Sequence, residues 1–293
     1  MTISIQPFPS VMGSAITGVD VSTGVAREEF QKIQQALDER GVVVLRSQNC
    51  NDEQQLAFAE MFGPIDLPYS AQLRKDMKRR LANTAISDIS NLDEKGELLS
   101  ADDNRRMFGL ANQLWHTDTS YKKIPTRVTL LSARELPPEP PDTEFADMRA
   151  AWDALPPGKQ EEIEGLRAVH SIFHSRAQMG FTQFSEHERS IFPPVKQPLV
   201  RTHARTGRKS LYLAAHASHI DGMDERMGHA LIKELTEFAT RPEFIYAHKW
   251  ITGDILIWDN SFTMHRARPF DDSRHRRVMH RIGVNELSAV LQE

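Results

Sequence analysis

Apolar residues near the start of the chain predict two amphipathic helices separated by a buried strand. Residues 27–40 place apolar side chains three and four positions apart, which is the helical spacing, and Gly41 follows as a stop. Residues 42–45 read Val-Val-Val-Leu, which predicts a strand buried on both faces. Asn51 is a suitable N-cap for a second helix, with Gln54 at the position that reaches back to the cap.

The rest of the chain alternates between short strand patterns and fewer helix patterns. Strands are predicted at 128–133, 211–213, 244–250, 254–258 and 278–284, and helices from Asp147, at 158–166 and at 223–240. Many short strands with few helices predict a mainly β fold with flanking helices, of the β-sandwich or jelly-roll type. We expect residues 1–293 to form a single domain.

Residues 66–112 interrupt this pattern. The segment is polar, contains a basic run at 74–80, and has one short strand-like piece near 86–89. A long irregular segment inside a compact domain is often a lid or a binding loop, so we predict an active-site lid here. The alternative is a solvated surface excursion with no role in binding.

Composition removes several classes of function. Hydrophobic residues make up 40% and charged residues 26% of the 293 positions, which is typical of a globular protein. A net charge of −4 gives no electrostatic basis for binding nucleic acid or an anionic membrane. One cysteine, Cys50, excludes an internal disulfide framework, and neither a signal peptide nor an apolar run of membrane-spanning length is evident. We therefore expect a cytoplasmic location.

The candidate chemistry lies in a His-x-Asp pair, His116 and Asp118. On a strand these two side chains would point to the same side, and His265, after a later strand and turn, would supply a third ligand. Two histidines and one carboxylate form the facial triad of non-haem Fe(II) oxygenases, which leaves metal positions open for a co-substrate and O₂. The alternative is a structural pair in which the imidazole bonds a carbonyl group and the carboxylate caps a turn.

Two arginines near the C-terminus, Arg277 and Arg281, are four residues apart and would share one face of a strand. A guanidinium binds a carboxylate through two parallel hydrogen bonds, and two buried arginines would each need an anion. Two carboxylate-bearing small molecules would satisfy them. The alternative is an exposed basic tail together with Arg274 and Arg276.

Six motifs occur along the chain in a fixed order: Trp115–Ser120, Asp142–Leu155, Leu199–His203, Thr206–Tyr212, Trp258–Asn260 and Met264–Arg266. In this order they resemble the Fe(II)/2-oxoglutarate-dependent dioxygenases of the taurine and 2,4-dichlorophenoxyacetate dioxygenase group. The resemblance extends over nearly the whole chain and is nearer to the 2,4-dichlorophenoxyacetate branch.

The resemblance implies a double-stranded β-helix that holds Fe(II) through the two histidines and the aspartate named above. It also implies that 2-oxoglutarate chelates the iron and that Thr143 and an arginine hold its distal carboxylate. Family spacing selects Arg276, whereas one inserted residue selects Arg277. We prefer Arg277, because its four-residue spacing places it on one face with Arg281, and Arg276 is the alternative. Relatives often have Gly-Gly before the Asp-Thr pair, where this chain has Pro140-Pro141, so the loop that leads to Thr143 must take another path.

The implied substrate is a small acid, most simply an aryloxyalkanoate that is hydroxylated and split into a phenol and a glyoxylate-type product, with succinate and CO₂ as co-products. Arg281 would meet the substrate carboxylate, and Asn91 and Tyr69 are candidate substrate contacts. A homo-oligomer is expected. The alternatives are a sulfonate or alkylsulfate dioxygenase, a zinc hydrolase that uses the same triad, and a binding module that has lost its metal.

Overall fold

The computed structural model describes residues 2–68 and 79–286, so Tyr69 and positions 74–78 of the basic run lie outside the described residues. The strands, β1 to β16 in chain order, are Ser4–Pro7, Ser14–Thr17, Val42–Leu45, Ile65–Asp66, Ser87–Ser90, Thr126–Glu135, Thr143–Asp147, Arg167–His170, Val195–Pro198, Val200–Thr202, Lys209–Leu211, Ala217–Ile220, Ile245–His248, Ile255–Asp259, Thr263–Ala267 and Val278–Asn285. The α-helices, α1 to α8, are Arg27–Arg40, Asp52–Glu60, Asn104–Gly109, Met148–Ala154, Pro157–Ile163, Ile172–Ala177, Glu186–Ile191 and Glu225–Ala239.

The main sheet has the strand order β1-β2-β3-β14-β6-β16-β4, with β5 also paired to β16. Side chains of a strand alternate between the two faces of a sheet, and each face of this sheet is covered by a buried cluster. The central strands are therefore apolar on both sides. Along β3, Val43 and Leu45 pack in the cluster that includes residues of α1 and α2, whereas Val42 and Val44 pack in the cluster on the opposite face. The buried strand predicted at 42–45 is confirmed.

Helices α1 and α2 cover one face of this sheet, and their ends follow the predicted signals. Asn51 accepts a hydrogen bond from the backbone N–H of Gln54, and the Gln54 side chain accepts one from the backbone N–H of Asn51, which completes a capping box. Helix α1 ends at Gly41, which has a left-handed φ of 74° and donates its N–H to the carbonyl of Leu37. A side chain at Gly41 would meet Phe262 at 2.8 Å.

We expect the substitution Gly41→Ala to destabilise the protein by about 2 kcal/mol, since it adds a strained φ and an overpacked methyl group. Urea unfolding would show a lower midpoint with an unchanged slope. Gly158→Ala is the matched control, because this helical glycine has no neighbour within 4 Å of an added Cβ. An equal loss of stability in both variants would contradict the role assigned to Gly41.

A second sheet, of order β13-β7-β15, packs against the other face of the main sheet. Phe145 of β7 and Trp258 of β14 have ring centroids 5.4 Å apart, and Met279 of β16 and Leu256 of β14 lie in the same buried cluster. The candidate site opens between these two sheets, beside this cluster. The sheets therefore supply rigid walls for the side chains that point into the gap.

Helices contribute as much of the fold as strands do, with about 29% helix and 28% strand. The fold is therefore a mixed, sheet-rich one, and the expectation of a mainly β chain understated the helices. The helices that were not predicted include short ones such as α6 and α7. These span six residues each and have too few turns to show a helical period. Within the described ranges, no helix is long and apolar enough to cross a membrane.

Candidate active site

The structure brings His116, Asp118 and His265 together in one buried group. The backbones of the two histidines are paired by two N–H to carbonyl hydrogen bonds of 3.0 and 2.8 Å. Their ring centroids are 4.2 Å apart. The Nε2 atom of His265 lies 3.9 Å from Oδ2 of Asp118. Nitrogen and oxygen ligands at this separation can close around one divalent ion.

The His-x-Asp pair does not lie on a regular strand, as the sequence had suggested. His116 makes an isolated bridge, and the chain then turns, with a positive φ of 48° at Thr119. The backbone N–H of Asp118 donates to the side-chain oxygen of Asn260 at 3.1 Å instead of to a neighbouring strand. The side chains of His116 and Asp118 nevertheless lie close together and form one group with His265.

Two polar residues that sequence reasoning missed fix the carboxylate. The hydroxyl group of Thr129 donates to Oδ2 of Asp118 at 2.6 Å, and the amide of Asn260 donates to the Thr129 hydroxyl at 2.9 Å. Trp258 in turn donates its indole N–H to Asn260. Supporting hydrogen bonds of this kind orient ligand carboxylates. The available signal was the Trp-Asp-Asn motif at 258–260, which supported the family resemblance but was given no role at the site.

The protonation states suit a cation. Burial lowers the pKa of both His116 and His265, so both rings are neutral near pH 7. Burial opposes the charge on Asp118, but the guanidinium of Arg281 and the hydrogen bond from Thr129 favour it, and the pKa of this carboxyl lies well below its usual range. The Nδ1 atom of His116 lies 2.7 Å from the carbonyl of Leu114, which leaves Nε2 as the ligand atom. Two neutral imidazoles and one carboxylate therefore fit a divalent metal.

A second buried group, Asp38, His203 and Asp259, also has its ligand atoms close together. Its charge is already balanced, because Arg205 lies 2.6 Å from Asp38 and Arg127 lies 3.5 Å from Asp259. A bound cation would add positive charge to a neutral group, so we assign this one a structural role.

A cavity of about 420 Å³ extends from the His-Asp-His group, which lies in its wall. One part of the lining is polar and includes Thr143, Arg277 and Arg281, the residues expected to bind anions. Another part is apolar and comes from the predicted lid segment, with Leu92, Leu99, Phe108 and Leu110. An enclosure with a few polar groups and apolar walls is typical of a small-molecule site.

The two candidate arginines differ sharply in environment. Arg277 lines the cavity and is buried, and it makes no ion pair with any described residue. Burial lowers the pKa of Arg277 to about 10. The side chain of Arg276 is half-exposed and pairs with Glu135 at 3.1 Å, outside the cavity. Of the two, only Arg277 presents an unmatched positive charge to a ligand.

Thr143 lies at the start of β7 and is buried in the cavity wall despite the two preceding prolines. Its hydroxyl oxygen accepts a hydrogen bond from the indole N–H of Trp250 at 3.0 Å. The hydroxyl proton is then left as a donor toward the cavity. Thr143 thus offers a hydroxyl donor and Arg277 a guanidinium donor, and a carboxylate can accept hydrogen bonds from both.

Two of the candidate substrate contacts, Arg281 and Asn91, lie among the described residues, and their surroundings differ. Arg281 lines the cavity and places Nη2 3.1 Å from Oδ2 of Asp118, so in this structure its charge is balanced by the ligand carboxylate. The side-chain amide of Asn91 makes hydrogen bonds with three backbone groups, which the sequence did not predict. Of the basic run, Arg79 and Arg80 line the cavity, and Arg80 pairs with Asp88.

The structure also adds lining residues that were not singled out for binding. Tyr121, Arg176 and His216 contribute to the cavity wall beside His116. The rings of Tyr121 and His216 are 4.9 Å apart, and Nδ1 of His216 lies 2.8 Å from the Ser175 hydroxyl. The neighbouring sequence gave no signal for them, since their approach depends on packing between distant segments.

Comparisons with known proteins agree with this geometry. The chain is 40% identical over 278 residues to the alpha-ketoglutarate-dependent 2,4-dichlorophenoxyacetate dioxygenase of Cupriavidus pinatubonensis, covering 95% of this chain and 96% of the relative. It is 33% identical over 284 residues to the (S)-phenoxypropionate/alpha-ketoglutarate-dioxygenase of Sphingobium herbicidovorans, covering 94% and 93%. The solved structure of AAD-2 with Mn(II) and N-oxalylglycine superposes with a TM-score of 0.93 at 41% identity, covering 98% of this chain and 99% of that one.

The sequence profile of one family accounts for almost the entire chain. Residues 4–282 match the family described as taurine catabolism dioxygenase TauD, TfdA family. The matched range includes the His-Asp-His group and the two candidate anion-binding arginines, Arg277 and Arg281. The chain therefore belongs to the TauD/TfdA dioxygenase family.

Proposed function

We propose that this protein is an Fe(II)- and 2-oxoglutarate-dependent dioxygenase that hydroxylates an aryloxyalkanoate and so splits it into a phenol and a glyoxylate-type product. The observation that carries this proposal is one cavity in which a buried His-Asp-His group faces a buried arginine, Arg277, that has no counter-ion among the described residues. A zinc hydrolase that uses the same triad needs no keto-acid co-substrate, so the anion site at Thr143 and Arg277, in addition to Arg281, favours the dioxygenase.

The metal would be held by His116, Asp118 and His265. When bound, Fe(II) supplies the activation of O₂ that couples decarboxylation of 2-oxoglutarate to succinate and CO₂ with oxygen insertion into a substrate C–H bond. The protein's contribution is to keep both imidazoles neutral and the carboxylate ionised, and to hold that carboxylate through Thr129. These features favour metal binding without rearrangement of the ligand side chains.

The distal carboxylate of 2-oxoglutarate would be bound by Arg277 and Thr143. A carboxylate at this place would satisfy the buried guanidinium and accept the hydroxyl proton of Thr143, and both contacts would be charge-assisted. Arg276 is not proposed for this role, because its side chain is half-exposed and paired with Glu135.

The substrate carboxylate would be bound by Arg281. Once a cation occupies the metal group, the charge of Asp118 is shared with it, and Arg281 becomes available to a second anion. The apolar wall formed by Leu92, Leu99 and Phe108 would receive the aryl ring. Hydroxylation of the carbon beside the ether oxygen gives a hemiacetal, which collapses to the phenol.

We also propose the finer architecture that this function needs. The two facing sheets would form a double-stranded β-helix within a single domain that covers residues 1–293, since strands from both ends of the chain share the main sheet. Segment 66–112 would act as the lid, because its described part lines the cavity. We propose in addition that the protein forms a homo-oligomer, which light scattering would test.

The test is an anaerobic titration with Fe(II) and 2-oxoglutarate, followed by the weak visible charge-transfer band of the chelate. Aryloxyacetates, taurine and alkylsulfates are then added in turn. We expect aryloxyacetates to shift the band and to release phenol and succinate in equal amounts when O₂ is admitted. A shift with taurine or alkylsulfates instead would indicate the sulfonate or alkylsulfate reaction. No band, with hydrolysis supported by Zn²⁺, would exclude the dioxygenase.

A further inference from the structure

The side chain of Asn91 is buried at the point where the cavity meets the turn before β16. Its amide nitrogen donates to the backbone carbonyls of Asp272 and His275, both at 2.8 Å. Its oxygen accepts the backbone N–H of Arg277 at 2.9 Å. Both amide protons and one oxygen lone pair are therefore used on a single turn.

The pairing of β5 with β16 explains why the amide of Asn91 reaches this turn. Ser90, the last residue of β5, is paired with Val278, the first residue of β16. Asn91 and Arg277 are the next residues beyond this antiparallel pair, so they lie opposite each other where the ladder ends. The side chain of Asn91 replaces the backbone hydrogen bonds that a longer ladder would have supplied.

We propose that Asn91 is a positioning residue for Arg277, and through Arg277 for the distal carboxylate of 2-oxoglutarate. This inference rests on the proposed function. A buried guanidinium without a counter-ion gains free energy by moving toward water, so its backbone must be held if the charge is to stay in the cavity. The three hydrogen bonds of Asn91 hold this backbone at residues 272, 275 and 277.

The same turn is also anchored from the lid segment. Arg106 of α3 makes two parallel hydrogen bonds to the carboxylate of Asp272, at 2.9 and 3.0 Å. The backbone carbonyl of Asp272 is one of the two that Asn91 binds. The side chain of Arg106 is about a quarter exposed, so its contact is weaker than those of the buried amide. Loss of the Arg106–Asp272 contact should therefore also weaken 2-oxoglutarate binding, by a smaller factor than loss of the Asn91 hydrogen bonds.

The test compares Asn91→Ala with Asn91→Leu, which keeps the volume and removes the hydrogen bonds. We expect both variants to raise the KM for 2-oxoglutarate about tenfold, equivalent to about 1.4 kcal/mol, while the KM for an aryloxyacetate changes less than about twofold. Asn83→Ala is the matched control, since Asn83 makes one local backbone hydrogen bond in the same segment and lies outside the cavity lining. Arg106→Gln should raise the 2-oxoglutarate KM about threefold.

A calorimetric titration of 2-oxoglutarate into the Mn(II)-loaded protein gives a readout that does not depend on turnover. It should show the same loss of affinity in both Asn91 variants. A near wild-type affinity for Asn91→Leu would reduce Asn91 to a packing role and overturn the proposal, as would equal rises in both KM values. If the wild type binds 2-oxoglutarate but converts no aryloxyacetate, the proposed substrate is wrong, and the calorimetric comparison still decides the role of Asn91.

Discussion

Replacement of Asp118 by asparagine is expected to weaken Fe(II) binding by more than about a hundredfold and to abolish succinate release. Loss of residues that only support metal ligands costs up to about a hundredfold, so loss of the charged ligand itself should cost more. The change keeps the shape of the side chain, and equilibrium dialysis of the variant against Fe(II) under anaerobic conditions would measure it.

The chain offers a close control in Asp254. This aspartate is also fully buried and also contacts one arginine and one histidine, Arg46 and His248, but it lies away from the cavity. Asp254→Asn should lower the thermal unfolding temperature and leave the Fe(II) affinity of the folded protein unchanged. Similar Fe(II) affinities for the Asp118 and Asp254 variants would contradict the assignment of the metal group.

Replacement of Arg277 by leucine should have two opposite effects. The KM for 2-oxoglutarate should rise at least about thirtyfold, because truncating one partner of a buried charge pair costs roughly 2–5 kcal/mol. The protein without co-substrate should become more stable. Burial lowers the pKa of Arg277 to about 10, so the folded state binds this proton less tightly than the unfolded state does.

The sign of the stability effect follows from this shift. At every pH below about 10 the buried cation destabilises the folded protein, by an amount of roughly 3 kcal/mol, and the cost disappears only as the arginine deprotonates at higher pH. Thermal unfolding near pH 7 should therefore show a higher transition for Arg277→Leu than for the wild type. Added 2-oxoglutarate, with Mn(II) present, should raise the transition of the wild type much more than that of the variant.

Arg276→Leu is the neighbouring control for both measurements. Its half-exposed ion pair with Glu135 should contribute less than about 1 kcal/mol, and its loss should leave the KM for 2-oxoglutarate within about twofold. If Arg276→Leu raised this KM and Arg277→Leu did not, the co-substrate arginine would have been assigned to the wrong residue.

The sequence by itself determined the features that depend on close neighbours in the chain. The capping box of Asn51 and the glycine that ends α1 were predicted correctly, because each is formed by groups within four residues of one another. The family was also predicted from the sequence, since its motifs are defined by residue type and order, and the comparisons confirm it. The types and order of the candidate ligands followed from these motifs.

Tertiary structure decided what depends on distant partners. The three hydrogen bonds of Asn91 could not be predicted from the sequence, because their partners lie 181 to 186 positions away and no local pattern indicates them. The orientations of Arg276 and Arg277 depend on how β16 pairs with β5 and β6, where the register shifts between Val278 and Met279. Periodicity favoured Arg277 through the strand face it shares with Arg281, but periodicity assumes an unbroken strand, so only the structure shows that Arg277 lines the cavity and Arg276 does not.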